Sequence, residues 1–264
     1  MPTGVVVNGA LGRMGQEVAR AVLADGELRF VGGVEASASQ PYLPVPEYPE
    51  LIPLSSSLGS LIDKTCPDVV VDFTRASVAM EAARVALPLK VSMVIGTTGL
   101  SAADLDEIRG LCDHHGVGAV VAPNFSLGAV LLMHLAQIAS RFFANAEIIE
   151  MHHDKKLDAP SGTALTTARM MAEARGSRFV YPPTEKEVLA GVRGGEVGGL
   201  AIHSIRMPGV MAAQEVLFGG KGQTLLLRHD VTSRESYMPG VILAIKEVVK
   251  TRSLVIGLDK LMGL

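Results

Sequence analysis

Residues 4–16 read Gly4-Val5-Val6-Val7-Asn8-Gly9-Ala10-Leu11-Gly12-Arg13-Met14-Gly15-Gln16. A short β-branched run is closed by a polar residue and three glycines, and residues 16–23 then carry apolar side chains at helical spacing. The reading is strand, glycine turn, helix. Such a turn lets the backbone approach a pyrophosphate, whose charge meets the N–H groups at the start of the helix. The spacing is Gly-x-x-Gly-x-x-Gly, with Leu11 where a middle glycine stands in Gly-x-Gly-x-x-Gly. A turn that only packs a helix on a strand is the competing reading. Two features favour a dinucleotide. Residues 28–34 read as the next strand and end at Glu35, about twenty residues beyond the turn, where a carboxylate accepts from ribose hydroxyls. Arg13 can lie along the phosphates.

Outward from this unit, the same rhythm repeats. Val69-Val-Val-Asp-Phe73 ends in Thr74-Arg75, Val91-Ser-Met-Val-Ile95 in Gly96-Thr97-Thr98-Gly99, and Val117–Val121 in Ala122-Pro123-Asn124-Phe125-Ser126. Branched apolar runs closed by polar turns are the pattern of parallel strands buried on both faces, whose carboxyl ends bind ligands. Helices are expected over 77–86 and from the cap-like Ser101 to about His114. The fold class is therefore α/β, with a Rossmann-type doubly wound parallel sheet. Between Ala36 and Ser57 stand Pro41, Pro44, Pro46, Pro49 and Pro53, and an irregular excursion is expected there.

The second half changes character. A helix is expected over 126–143, with His134 packed among Leu132, Met133 and Leu135, then a short strand over 146–150. A helix over 164–174 follows, then a glycine- and proline-rich segment at 182–199 that reads as mobile or covered by a partner. Strand-like runs at 200–207, 213–218 and 223–231 come without helices between them, the last two joined by Gly219-Gly-Lys-Gly222, a hairpin signal. An open mixed or antiparallel sheet is expected, inserted into the first domain. His203, Arg206, Arg228 and His229 lie on these strands, where spacing does not say what they face. Residues 233–250 read as helical, and Leu254-Val-Ile256 should rejoin the first sheet. The expected domains are 1–126 with 237–264 for the dinucleotide, and 127–236 for substrate binding and oligomerisation.

The densest chemistry is Glu150-Met-His152-His153-Asp-Lys-Lys156-Leu-Asp-Ala-Pro-Ser161-Gly162-Thr163-Ala164. The expected setting is a strand-to-helix loop, where sites are commonly built. Ser161 suits a helix N-cap, and the N–H groups of Gly162 and Thr163 beyond it attract carboxylate or phosphate. Imidazole and ammonium groups can both donate protons. A solvated loop is the plain alternative. Zinc fits poorly, since adjacent histidines on a strand point to opposite faces and no Cys or Glu stands at zinc-motif spacing. No metal is expected. Ser161 lacks the Gly-x-Ser-x-Gly elbow of a nucleophile.

At 264 residues, 48% hydrophobic and net charge −3, the chain is long enough for one large or two modest domains and not basic enough to suggest nucleic acid. It has no eighteen-residue apolar window, so no membrane span is expected. The N-terminal residues lack a signal-peptide pattern, and Cys66 and Cys112 belong to no disulfide or metal pattern. A cytoplasmic location is expected.

Glu150-x-His-His-x-x-Lys-x-Asp-Ala-Pro-Ser-Gly-Thr-Ala164 resembles the signature of the dihydrodipicolinate reductase family, now called 4-hydroxy-tetrahydrodipicolinate reductase, of the diaminopimelate route to lysine. Gly12-Arg-Met-Gly15 resembles its glycine turn, and Gly96-Thr-Thr and Ala122-Pro-Asn-Phe resemble its motifs on the nicotinamide side of the cofactor. The resemblance implies NAD(P)H-dependent reduction of a cyclic imine dicarboxylate, with loss of water, in a homotetramer assembled through the second sheet. It implies His152 and Lys156 as acid–base groups, with His153, Gly162 and Thr163 holding carboxylate. The implied cofactor contacts are Gly9, Ala10, Leu11, Gly12, Arg13, Met14, Glu35, Thr74, Arg75, Gly96, Thr97, Thr98, Ala122, Pro123, Asn124 and Phe125. Some relatives follow the acidic residue with an arginine for the 2′-phosphate. Here Ala36 and Ser37 follow Glu35, so like-charge repulsion predicts a lean to NADH over NADPH. Two alternatives stand beside it: a different two-domain dehydrogenase of amino or sugar acids, and a catalytically silent dinucleotide sensor. The signature run speaks against both.

Overall fold

The computed structural model describes residues 1–43 and 51–264. The chain divides into two compact units, Met1–Ser126 with Tyr237–Leu264, and Leu127–Ser236.

The first unit is built on strand β1 (Thr3–Asn8), in which Val5, Val6 and Val7 have no exposed surface. A strand apolar on both faces belongs in the middle of a sheet. It pairs in parallel with β2 (Leu28–Val34) on one side and, across a crossover, with β5 (Val69–Asp72) on the other. Outward from β5 come β6 (Ser92–Ile95), β7 (Ala119–Val121) and β13 (Leu254–Ile256), all parallel. The C-terminal run thus pairs with β7. Helices α1 (Arg13–Ala24), α2 (Leu58–Thr65), α3 (Ala76–Ala86), α4 (Ala102–His115) and α7 (Met238–Val248) cover the sheet. Helix α4 starts with a reciprocal capping box, in which Ser101 Oγ accepts from Asp104 N while the Asp104 carboxylate accepts from Ser101 N.

The expectation for 36–57 is corrected in its second part. Tyr42–Leu43 forms β3 and Ile52–Ser55 forms β4, which pairs in parallel with β2 and antiparallel with β3. Ile52 and Leu54 are buried while Pro53 and Ser55 are half-exposed, a period-two alternation that the surrounding prolines masked. Helix α2, also unforeseen, is capped by Ser57, whose side chain accepts from Ser60 N. Pro44, Pro46 and Pro49 lie outside the described residues.

The second unit holds a five-stranded sheet in the order β12-β11-β8-β10-β9. Its centre is β8 (Asn145–His152), two residues longer at its C-terminal end than expected, so His152 belongs to a strand and not to the loop after it. Strand β10 (Leu200–Arg206) runs parallel to β8; β9 (Gly195–Val197), β11 (Ala212–Gly220) and β12 (Gln223–Val231) make the antiparallel pairs. Within 182–199, residues 195–197 are therefore an edge strand. Helices α5 (Leu127–Ala139) and α6 (Gly162–Arg175) pack on one face, where Ile148, Met171, Val216 and Phe218 are fully buried. Helix α5 stops at Ala139, four residues short of the expected end.

Candidate active site

The glycine turn of the first unit has little freedom. Gly9 sits at φ +79°, and a Cβ there would lie 2.8 Å from Thr74 Cγ2. A Cβ on Gly15 would approach the Gly9 carbonyl oxygen to 2.1 Å. The N–H groups of Gly9 and Ala10 donate to Val34 O, at 2.9 and 3.1 Å, and Gly12 N–H donates to Gly9 O at 3.0 Å. These three donors hold the turn. The donors at the start of α1 have no side-chain cap, and no acidic residue lies in that first turn. An anion fits such an end.

Beside the turn lies a cavity of about 530 Å³, lined among others by Gly9, Gly12, Glu35, Ser57, Thr74 and Arg75. Its floor is rigid. Buried Asp72 accepts from Asn8 Nδ2 at 2.6 Å, Thr97 Oγ1 at 2.6 Å and Thr74 N at 3.1 Å. Thr97 is thus occupied inside the protein, its hydroxyl also accepting from Thr74 N at 2.7 Å. Asn8 and Asp72 were not singled out in the sequence; an Asp inside Val-Val-Val-Asp-Phe was the available signal.

The other nominated residues gather at the same strand ends. Leu11 and Arg13 are exposed and Met14 is half-buried. The rings of Phe73 and Phe125 meet at a tilt with centroids 5.6 Å apart, and a Cβ on Gly96 would fall 2.0 Å from the Phe73 ring. Ala122 is buried, Thr98 and Pro123 are exposed, and Asn124 Oδ1 accepts from Ser126 N at 2.9 Å. A nicotinamide dinucleotide fits these residues: phosphates at the open helix end, ribose at Glu35, and a pocket for the adenosine half.

In the second unit, strand alternation puts Glu150 and His152 on one face. Glu150 has no exposed surface. Its Oε2 lies 2.5 Å from His152 Nδ1. Arg206, which stands opposite His152 on β10, donates to both carboxylate oxygens, at 2.9 and 2.7 Å. Ser161 N donates to Oε1 at 3.2 Å. Burial alone would push the Glu150 carboxyl up, but the hydrogen bonds from His152 and Arg206, with Ser204 adding, bring it down to about 2. An ionised carboxylate only accepts, so Nδ1 carries the proton and His152 Nε2 is the nitrogen free to act.

The signature loop folds over this pair. Arg206 Nη2 also donates to Asp158 O at 2.7 Å, and Lys156 Nζ donates to Asp158 Oδ1 at 2.7 Å. Ser161 caps α6, its Oγ accepting from Ala164 N at 3.2 Å, and the first helical bond runs from Leu165 N to Ser161 O. The N–H groups of Gly162 and Thr163 precede that bond and stand at the positive end of the helix. His153 is exposed, one residue beyond the end of β8, where its carbonyl accepts from Lys156 N at 3.1 Å. His229 sits instead against α5, where a Cβ on Gly128 would fall 2.4 Å from its ring. Among the described residues no group of three or more His, Cys, Asp or Glu could hold a metal ion.

Two family models cover the chain, described as dihydrodipicolinate reductase, N-terminus, over residues 3–125, and dihydrodipicolinate reductase, C-terminus, over 128–262. The chain belongs to the dihydrodipicolinate reductase family. A relative from Dehalococcoides mccartyi, named 4-hydroxy-tetrahydrodipicolinate reductase, is 52% identical over 100% of this chain and 99% of its own length. One of the same name from Moorella thermoacetica is 50% identical over 98% and 97%. Among solved structures, the dipicolinate-bound dihydrodipicolinate reductase of Paenisporosarcina sp. TG-14 superposes with a TM-score of 0.89 at 42% identity, covering 98% of this chain and 99% of that one. An amine dehydrogenase from Mycobacterium smegmatis shares the fold alone, with a TM-score of 0.67 at 13% identity. Glu150 and Arg206, which hold His152 and the signature loop in place, carry no role in the sequence pattern alone. Glu150 could have been found from the Glu-x-His alternation; Arg206 could not, since it arrives from 56 residues away.

Proposed function

We infer that the chain catalyses the NAD(P)H-dependent reduction of (2S,4S)-4-hydroxy-2,3,4,5-tetrahydrodipicolinate to (S)-2,3,4,5-tetrahydrodipicolinate with loss of water, a step of lysine synthesis through diaminopimelate. The observation that carries this is full-length family membership together with an intact signature run, whose His152 is held by a buried carboxylate. When bound, the nicotinamide supplies the hydride, which is delivered to C4 of the conjugated imine left by elimination of water. The chain's own residues do the remainder. Gly162 and Thr163, with His153, hold carboxylate, and His152 and Lys156 share the acid–base work. Fixed positive charge also stabilises the developing negative charge on the ring.

Lys156 tests the reading. Replacing it by Ala should cut turnover at least about a hundredfold while NADH binding stays nearly intact. Near-normal turnover with NADH and the dipicolinate precursor rejects the role.

The cofactor preference we propose is NADH. Glu35 lines the cavity with Ala36 beside it, and a 2′-phosphate there would face a carboxylate. Arg75 lines the same cavity, so the comparison must be made on the enzyme. The Michaelis constant for NADH should be the lower of the two, and a marked NADPH preference refutes this.

We further propose a homotetramer. The face of the second sheet away from α5 and α6 carries half-buried Ile149 and Met151 and exposed Ile205, Leu217 and Leu226. Sheets bury such faces against another layer. A cytoplasmic location belongs to the same reading, in keeping with Cys66 and Cys112 both being free thiols. Among the described residues no helix is long and apolar enough to cross a membrane.

A further inference from the structure

Gln214 lies on β11 directly across from Glu150 in antiparallel register, and only 7% of it is exposed. The same face of its strand carries Val216 and Phe218, both fully buried. An amide in such a layer is costly, because its Oε1 finds no hydrogen-bond partner among the described residues. Leu or Met would fill the volume without that penalty. A group kept at a cost invites the question of what its other end does.

That end is engaged. Gln214 Nε2 donates to Thr167 Oγ1 at 2.9 Å, and the Thr167 hydroxyl, itself without exposed surface, donates to Thr163 O at 2.8 Å. A hydroxyl has one proton, so the relay has one direction: amide to hydroxyl to carbonyl. The peptide between Thr163 and Ala164 is therefore clamped at both ends, its oxygen by Thr167 and its N–H by Ser161 Oγ. Ser161 in turn donates its own N–H to Glu150. Two residues paired across adjacent strands, Glu150 and Gln214, thus hold the first turn of α6 from two sides.

We propose that Gln214 is a positioning residue for substrate, acting through Thr167 to fix the orientation in which Gly162 and Thr163 meet a carboxylate. This rests on the reading that those two residues hold carboxylate, and the experiment separates the two. Dipicolinate affinity is measured by calorimetry on the full chain with NADH bound, alongside Michaelis constants for substrate and for NADH, in Gln214→Leu, Thr167→Val, Thr167→Ser, their Leu/Val double variant, and Thr163→Val.

Gln214→Leu and Thr167→Val should each weaken dipicolinate and raise the substrate Michaelis constant about tenfold, leaving that for NADH unchanged; the double variant should be no worse than either single. Thr167→Ser, which restores the hydroxyl, should restore affinity. A purely structural role would instead lower thermal stability without separating the two Michaelis constants. Folded Thr167→Val with wild-type dipicolinate affinity overturns the proposal, and this nearly isosteric variant carries the test if Gln214→Leu fails to fold. If Thr163→Val also leaves affinity unchanged, the reading has failed for the Thr163 hydroxyl as a carboxylate donor; if Thr163→Val loses affinity while Thr167→Val keeps it, only the relay has.

Discussion

Glu150 shows how one buried charge can tie a strand, its neighbour and a loop together. It is inaccessible, yet accepts from an imidazole, a two-pronged guanidinium and a backbone N–H. Burial opposes its ionisation and these donors more than offset it, placing its folded-state value at about 2. The sign follows from linkage. A carboxyl whose folded value lies below its unfolded one stabilises the fold fully above the unfolded value, about 4.3, and that contribution is lost as pH falls towards 2. Replacing Glu150 by Gln leaves Arg206 facing a neutral group and should cost about 3–5 kcal/mol at pH 7. Urea unfolding of wild type and variant at pH 7 and pH 3 measures this. The gap should narrow at pH 3, and an equal gap at both would mean that the ionised form is not what stabilises. At this scale the sequence displayed the pieces without the wiring. Alternation along β8 puts residues 150 and 152 on one face, but register with a strand over fifty residues later brings Arg206, and no local pattern encodes that.

Among the elements, those with a single dominant signal were legible. Residues 28–34 and 223–231 form strands with the expected bounds, and Ser101 and Ser161 both cap their helices. Strand β4 was missed because its signal is two buried residues among prolines, too short a period to outweigh the turn formers around it. Helix α5 stops early as its last turn tightens: Ser140 N still donates to Ala136 O at 2.9 Å, but Arg141 N and Phe142 N reach carbonyls only three residues back, those of Ile138 and Ala139, at 3.3 and 2.9 Å. The unit of strand, glycine turn and helix carries its own test. A Cβ on Gly15 meets backbone oxygen at 2.1 Å, while one on Gly12 meets the same atom at 3.1 Å. Gly15→Ala must therefore push α1 off β1, costing about 1–3 kcal/mol and weakening NADH, whereas Gly12→Ala should cost less. Thermal melts and NADH titration of both variants decide it; equal effects would mean that the close approach at Gly15 is not what fixes the helix.

For the whole molecule, the two sheets differ in what covers them. The first has helices over both faces, as a parallel sheet requires, and its central strands are buried on each side. The second has helices on one face only, and its remaining face mixes apolar side chains with paired charges. On that face Arg228 bonds Glu215 and Asp230, while Arg193 and His203 meet Glu147. The apolar residues lie between: Leu217 stands opposite both Glu147 on β8 and Leu226 on β12. Internally satisfied charges beside exposed leucines suit a surface that meets a copy of itself, since such a meeting buries the leucines without leaving a charge unpaired. This face was legible as a run of strands without helices, whereas a cover supplied by another copy of the chain, as proposed above, lies beyond any single sequence pattern. Leu226, 51% exposed on the edge strand β12 and the most exposed of these apolar residues, is the residue to change. Leu226→Glu places a carboxylate where the copies should meet and adds no strain within one chain, because its side chain points out of the sheet. Sedimentation velocity should show wild type as a tetramer and Leu226→Glu as smaller species with an unchanged circular dichroism spectrum. A variant that still sediments as a tetramer would move the interface elsewhere.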